Sequence, residues 1–568
     1  MDKAIHIYKS SPHLMRGGLD IWLVGRIAVA LLLLLPLGAV AYLALSPPLS
    51  LAPSDDIWGH LWRTILPHQI LTTLQIMLGV AFMTASIGTI TAWLVSFCAF
   101  PTRRFFAWGL LLPLAIPTYL AAYSYSDLLD SASLGAKLWR IIGLEPSLYP
   151  NIYSLGGGIF ILSAVLFPYV YISARAAFVH QSAGLLEAAR LAGLSPFACF
   201  WRVGLAQARP AIIAGVALTL MECLNDIGAM EHLGIQTLTI GIYDTWVVRG
   251  SLIGAAQMAL ALLIFIGALL YFERLQRGSK SDTQYYAPIG GQKHEIARFI
   301  LSPYKSIAAI FTCFIPLALG FLIPFAHLIY LANHHLQNTS ALTPNFIKAA
   351  EHSVLLAGGA GVIVCAIGLF LAFGNRLVAH IRHHSLNHKI ANLFTQIAAL
   401  GYAIPATILG LGILITLAQI GAYIDWASSM SLVLIGSGAG LLFAYVVRFL
   451  PLAFHNLEAG FTRIALSQDM AARSLGVGRL QMLRKIHIPH LRAPLMVAAL
   501  LVFVDVMKEL PATLILRPFN FDTLASLAYT QASLGQLEAA ALPACMIIIV
   551  GLVPILILLS QLDIRANK

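Results

Sequence analysis

Runs of about twenty apolar residues recur along this 568-residue chain, and they limit its fold more than any other feature. "IAVALLLLLPLGAVAYLALS" (27–46) is typical. As helix, such a run crosses a hydrocarbon core of about 30 Å. Lipid offers no partner for a backbone N–H or C=O, so a spanning segment must be helical or part of a closed barrel. The ten-residue alternation of a membrane barrel is missing. The chain therefore reads as an all-α integral membrane protein. Only 10% of its residues are charged, against about 25% in soluble domains.

Twelve spans are expected. The first six lie near Ile27–Ser46, Thr72–Phe97, Ala107–Tyr125, Leu155–Ile172, Pro210–Ile227 and Leu252–Phe272. The second six lie near Ile307–Leu331, Ser353–Phe373, Ala391–Leu417, Met430–Leu450, Pro494–Val506 and Ala539–Leu562. Placing both termini in the cytoplasm puts 28 of the 35 Lys and Arg residues inside. The exceptions are Arg63, Lys137, Arg140, Arg249, Lys348, Arg517 and Lys508. The net charge of +11 thus reflects topology and not nucleic-acid binding. The first span is longer than the 7–15 apolar residues of a cleavable signal and reads as an anchor. The six cysteines are scattered, without CxxC or a disulfide framework.

The sequence is written twice. "GVAFMTASIG" (79–88) matches "GAGVIVCAIG" (359–368), and "LAIPTYL" (114–120) answers "YAIPATI" (402–408). "FPYVYISARAAF" (167–178) answers "LPLAFHNLEAGF" (450–461). Residues 1–272 form a first repeat, 273–304 a polar linker and 305–568 a second repeat. Two six-span halves that both start in the cytoplasm are parallel repeats, with a pseudo-twofold axis along the membrane normal.

Each half carries one polar segment between apolar runs, "EAARLAGLSPFACFWR" (187–202) and "MAARSLGVGRLQMLRK" (470–485). Ala188, Ala189, Ala471 and Ala472 favour helix, and Gly193 and Gly476 suit the position just past a helix end. Beyond the break, Phe197, Phe200 and Trp201 fall at i, i+3 and i+4, and Leu480 and Leu483 stand where the second half matches the two phenylalanines. Such an apolar stripe on a cytoplasmic helix fits a partner's groove or the lipid headgroups. Its repetition in register favours a paired docking site.

These two segments, each followed by basic residues and a proline, resemble the cytoplasmic EAA loop of binding-protein-dependent ABC importer permeases. Glu187, the family's glutamate, is replaced by Met470 in the second copy. The usual ending is kept in "IHIPH" (486–490) and degraded to "VGLAQ" (203–207). The resemblance implies a type I importer fold in a bacterial inner membrane, with loops that insert into two copies of an ATPase subunit. It also implies a substrate-binding protein that delivers cargo. GxxxxGK[ST] does not occur in the chain, so ATP is expected on the partner subunits, with no cofactor bound here and no enzymatic activity of its own.

"LMECLNDIGAMEHLGIQTLTIGIY" (220–243) and "VFVDVMKELPATLILRPFNFDTLASLAY" (502–529) resemble the double-length ferric iron permeases. Aligned on the loops, Glu222 falls on Asp505 and Asp226 on Glu509. Each i, i+4 pair is expected on one helix face, as a substrate pathway or gate. Carboxylates suit a hard trivalent cation, with Glu222 and Asp505 the best-placed candidates for metal contact. A structural role competes with this reading. "HIRHHSLNH" (380–388) puts His380, His383, His384 and His388 on one face; a solvated basic loop accounts for it, and metal sensing is the alternative. The same architecture could instead import thiamine, an oxyanion or a polyamine. An ion-coupled twelve-span carrier would leave the doubled loop unexplained.

Overall fold

The computed structural model describes residues 21–45, 57–130, 134–143, 145, 149–180, 188–189, 191–277, 298–338, 343–378, 393, 401–423 and 438–566. The first half contributes α1 (Ile21–Leu45), α2 (Leu66–Phe97), α3 (Thr118–Leu128), α4 (Leu155–His180), α5 (Leu205–Asn225), α6 (Gly228–His232), α7 (Leu238–Val247) and α8 (Leu252–Arg277). The second contributes α9 (Pro303–Asn338), α10 (Pro344–Val378), α11 (Ala406–Tyr423), α12 (Ala439–Thr462), α13 (Ile488–Met507), α14 (Pro511–Leu516), α15 (Leu524–Ser533) and α16 (Leu537–Ala566). Among the described residues the only sheet is a parallel pair, β1 (Cys98–Ala99) with β2 (Phe299–Ile300).

Nine of these helices are long and apolar enough to cross a membrane, and two bent pairs bring the number to eleven. The described residues thus give nine to eleven crossings against the twelve expected. Arg103–Ala115 meets Thr118–Leu128 at 89°. Pro117 causes this break: a residue before proline is pushed out of the α region, and Ile116 takes ψ 118°. The second "AIP" acts alike, ending a 3-10 turn at Gly401–Ala403 before α11. The apolar helix Ala406–Ile420, within α11, is shorter than the others and falls where the ninth span is expected.

The first helix of each half packs on the other half. In α1, Trp22 stacks on Phe370 at 4.8 Å and meets Phe373 edge-on at 5.1 Å. Buried Arg26 donates to Asn375 at 3.3 Å. A β-carbon on Gly412 of α11 would lie 2.4 Å from the Pro36 carbonyl oxygen, so glycine lets α1 approach there. Reciprocally, Tyr125 and Ser124 of α3 donate to the carbonyls of Leu319 and Pro324 in α9, at 2.5 and 3.2 Å. These exchanged helices make each repeat's packing depend on the other.

The duplication extends to capping. Thr237 caps α7 and Thr523 caps α15. Three residues earlier, Gly234 and Asn520 both take positive φ. The N–H of Leu238 is held by Thr73, and that of Leu524 by Ser353.

Candidate functional site

Two regions answer to the candidate residues: the repeated loops and an interior cavity. In each loop a helix ends in the same turn. Gly193 and Gly476 take φ of +80° and +75°. The N–H of Leu194 reaches the Ala189 carbonyl, and that of Val477 the Ala472 carbonyl, both over five residues. This ring past a left-handed residue is the Schellman closure. A π turn then follows in register, Phe200–Gly204 and Leu483–His487.

The apolar stripe does not form one partner-facing surface. Phe197 is 73% exposed and Trp201 54%, while Phe200 packs inward on Trp93 at 5.3 Å. Likewise Leu480 is exposed and Leu483 buried. The π turn starts at these inward residues, and its wider ring shifts the helical phase that i, i+3, i+4 spacing assumes. Ala189 and Ala472 are buried, whereas Ala188, Ala471 and Met470 are exposed. Glu187 and the His380–His388 cluster lie outside the described residues.

What anchors each loop differs. Behind the first, Trp93 gathers Phe97, Phe178, Phe200 and Phe299, with ring centroids 4.4–6.4 Å away. Gly204 abuts the indole; a β-carbon there would lie 2.4 Å from it. Behind the second, Arg376 donates to both Asp469 carboxylate oxygens, at 2.7 and 3.2 Å, and to the carbonyls of Phe461 and Ile464. Nε2 of His487 lies 3.4 Å from Asp469 without hydrogen-bond alignment. All three side chains are buried. Burial holds the His487 imidazole below its ordinary value, and the Asp469 carboxylate opposes that shift.

The interior cavity, about 90 Å³, lies between the halves and is lined by all four candidate acids. The i, i+4 pairs do not share a helix face, however. α5 ends at Asn225, where Asp226 turns extended with ψ 110°, and α13 ends at Met507. Asp226 accepts from the Ala229 N–H at 2.9 Å and Glu509 from the Ala512 N–H at 3.0 Å, each capping the short helix that follows. A helix N-terminus leaves its first N–H groups without intrahelical partners, and a carboxylate satisfies them. Asp226 and Glu509 are thus structural caps in the cavity wall.

Glu222 and Asp505 keep their place facing the cavity. Tyr402 donates to Glu222 at 2.5 Å, and Lys508 pairs with Asp505 at 2.8 Å. Asn225 ties the halves together by accepting from the Ala406 N–H at 2.8 Å and from Arg448 at 3.0 Å. Arg448 also lies over the rings of Tyr402 and Phe449. Among the described residues, no three His, Cys, Asp or Glu side chains are placed to hold a metal ion.

Sequence reasoning missed Arg448, Tyr402, Asn225 and the Arg376–Asp469–His487 cluster. A lone arginine in "GLLFAYVVRFLPLAF" (440–454) was a readable signal, because a charge inside a span needs an interior partner.

Membrane-spanning helices in two halves, with a cavity between them and a matching loop in each, fit a membrane transport permease. The family model described as "Binding-protein-dependent transport system inner membrane component" matches residues 100–278 and 365–568. The chain belongs to this family of ABC transporter permeases, multi-pass proteins of the bacterial inner membrane whose systems include ATPase and substrate-binding partners. It is 24% identical to an "Fe(3+)-transport system permease protein" of Haemophilus influenzae over 88% of this chain and 90% of that one. It is 24% identical to a probable ABC transporter permease of Sinorhizobium fredii over 83% of this chain and 81% of that one. It is also 29% identical to a probable molybdenum permease of Haloferax volcanii, over 45% of this chain and 90% of the relative.

Proposed function

We propose that this chain is the two-half permease of an ATP-driven importer for ferric iron, with the loops and both termini in the cytoplasm. The observation that carries the reading is the cavity between the halves, faced by Glu222 of one repeat and Asp505 of the other. Oxygen ligands of this kind suit a hard cation in transit. The full-length similarity to an iron(III) permease supports the cargo. Phe197 and Trp201 on one loop and Leu480 on the other leave apolar surface for two ATPase subunits. ATP-driven approach of those subunits would draw the loops together and reorient the halves, opening the cavity to alternate sides.

A second reading is an oxyanion cargo. Arg448 and Lys508 also line the cavity, and relatives matching a single half are named as sulfate and molybdenum permeases. Uptake by proteoliposomes containing the permease, its ATPase and its binding protein decides between them. ATP-dependent accumulation of radioactive iron, undiminished by excess sulfate or molybdate, is expected. Accumulation of either oxyanion without iron would overturn the cargo assignment, and uptake that persists without ATP would overturn the importer mechanism.

A further inference from the structure

A second polar cavity, about 240 Å³, lies in the first half and has no role in the transport scheme above. Its wall comes from the start of α2 and from α7 with the residues around it: His68, Gln69, Gln236, Gly241, Asp244 and Arg249. Gln69 stands 24 positions before Trp93 along α2, about 36 Å at 1.5 Å per residue. Because Trp93 packs behind the first loop, that distance, longer than a hydrocarbon core of about 30 Å, puts the cavity at the opposite membrane face.

Three observations point to a bound headgroup. The Gln69 side chain is 5% exposed, lines the cavity, and its Oε1 has no hydrogen-bond partner among the described residues. A buried acceptor left so is costly, and a ligand with an N–H donor would relieve it. Gly241 lets that oxygen sit there, since a β-carbon would lie 2.1 Å from Gln69 Oε1 and 2.3 Å from the Met258 methyl. The charges at the wall have both signs, the Asp244 carboxylate against the Arg249 guanidinium, with His68 beside them. Asp244 is pushed up by burial, while Arg249 pulls it down. Trp62, Val247 and Val248, neighbours of the lining residues in sequence, are apolar and exposed. An exposed tryptophan at a span end marks the lipid interface.

We infer that this cavity holds the headgroup of a phosphatidylethanolamine molecule. Its phosphate would lie at Arg249 and His68, and its ammonium N–H groups would donate to Asp244 and Gln69. The ammonium must carry hydrogens, because the buried Gln69 acceptor needs a donor. A choline headgroup has the same charges without an N–H, and a glycerol headgroup lacks the cation.

Among the described residues, the second half does not repeat this arrangement. Ala349 stands where the first half has Gln69, and there His352 stacks on Phe521 at 3.9 Å while Asp522 pairs with Arg517.

Native mass spectrometry of the intact permease–ATPase complex, released from nanodiscs of equal phosphatidylethanolamine, phosphatidylcholine and phosphatidylglycerol, tests the site. Wild-type complex is expected to retain phosphatidylethanolamine over the other two lipids. Asp244→Asn and Arg249→Ala should each cut that retention about tenfold, the scale of one charge-assisted hydrogen bond. Equal retention of phosphatidylcholine would overturn the inference, as would unchanged retention in both variants. If instead the variants keep the lipid but lose stimulation of ATP hydrolysis by the binding protein, the cavity seats a protein partner and the inference fails. None of these readouts depends on the cargo.

Discussion

The two loops share one backbone and hold it in place by different chemistry. Both close a helix on a left-handed glycine, both continue into a π turn, and both point the first apolar residue of that turn inward. Behind the first, contact is aromatic and uncharged. Behind the second, an arginine, an aspartate and a histidine are sealed from water. By the alignment of the repeats, the first half has Ser96 in place of Arg376 and Gly204 in place of His487. Gly204 leaves room for the Trp93 indole, and a side chain there would displace it. The backbone of the loop is therefore the same in both halves, while the interior that supports it differs. The arm beyond the loop diverged too. Arg479–His490 meets Arg492–Met507 at 77°, whereas the first half runs as a single candidate span, Phe197–Asn225. Pro489 and Pro494 each remove a backbone donor from the bent arm, and the first half has only Pro210 there.

The ionic anchor should give the largest single effect. Asp469→Ala leaves the Arg376 guanidinium buried without its counter-charge, a change that costs about 3–5 kcal/mol. Thermal unfolding of the purified chain should show it as a lower midpoint, with weaker ATPase capture. Arg376→Met combined with Asp469→Leu should recover most of the loss, since removing both charges removes the unpaired one. A wild-type midpoint for Asp469→Ala would mean that the pair does not hold the loop.

Trp93→Ala probes the other anchor. Opening a cavity beside Phe200 and Phe178 should cost about 3 kcal/mol, and this loss should be indifferent to pH. The ionic anchor should respond to acid. His487 is buried with its pKa lowered from 6.5, so the unfolded chain binds a proton that the folded chain refuses. Stability contributed there is complete above about pH 6.5 and falls as the medium becomes more acid, towards the folded value. Unfolding midpoints of wild type and His487→Gln, followed from pH 7.5 to 5.5, check the sign. The variant should show the shallower slope, and parallel curves would remove His487 from the account.

At the turn itself the halves should agree. Gly193→Ala and Gly476→Ala each force a left-handed side chain, for about 1–2 kcal/mol. No described neighbour lies within 4 Å of either added β-carbon, so the cost is backbone conformation alone. Unequal midpoint shifts would show that the two turns are not equivalent.

The crossings and the doubled loop were legible because long apolar runs and a repeated polar motif are local patterns. The ionic anchor was not, since Arg376 and Asp469 are 93 positions apart and meet only through packing. In sequence Arg376 reads as one more basic residue at a span's cytoplasmic end. The acids were found and partly misassigned, because an i, i+4 argument presumes that the helix continues. Pro511, just past Glu509, was a stop signal in plain view. The first half offered a weaker one in Gly228, two residues after Asp226.

The smallest effects on stability are expected at the cavity, where the same contrast between the halves recurs. Glu222 of the first half is held by a neutral hydroxyl, that of Tyr402, and Asp505 of the second by the Lys508 ammonium. Glu222→Gln keeps an oxygen that accepts from Tyr402, so its cost should stay within about 0.5–1 kcal/mol. Asp505→Asn strips Lys508 of its counter-charge but keeps a side-chain oxygen that can accept from the ammonium, which limits the loss to about 1 kcal/mol. Uptake should separate from stability. If the two carboxylates pass a cation between the halves, the double variant should still assemble with its ATPase and melt near the wild type, yet transport iron several-fold more slowly. A structural role predicts the reverse, a lower midpoint with uptake in proportion to folded protein. Amides preserve the shape of the wall and remove only charge, so the ratio of uptake to folded protein is the decisive quantity. An unchanged ratio would take Glu222 and Asp505 out of the pathway and leave Arg448 and Lys508 as the charged groups that cargo meets.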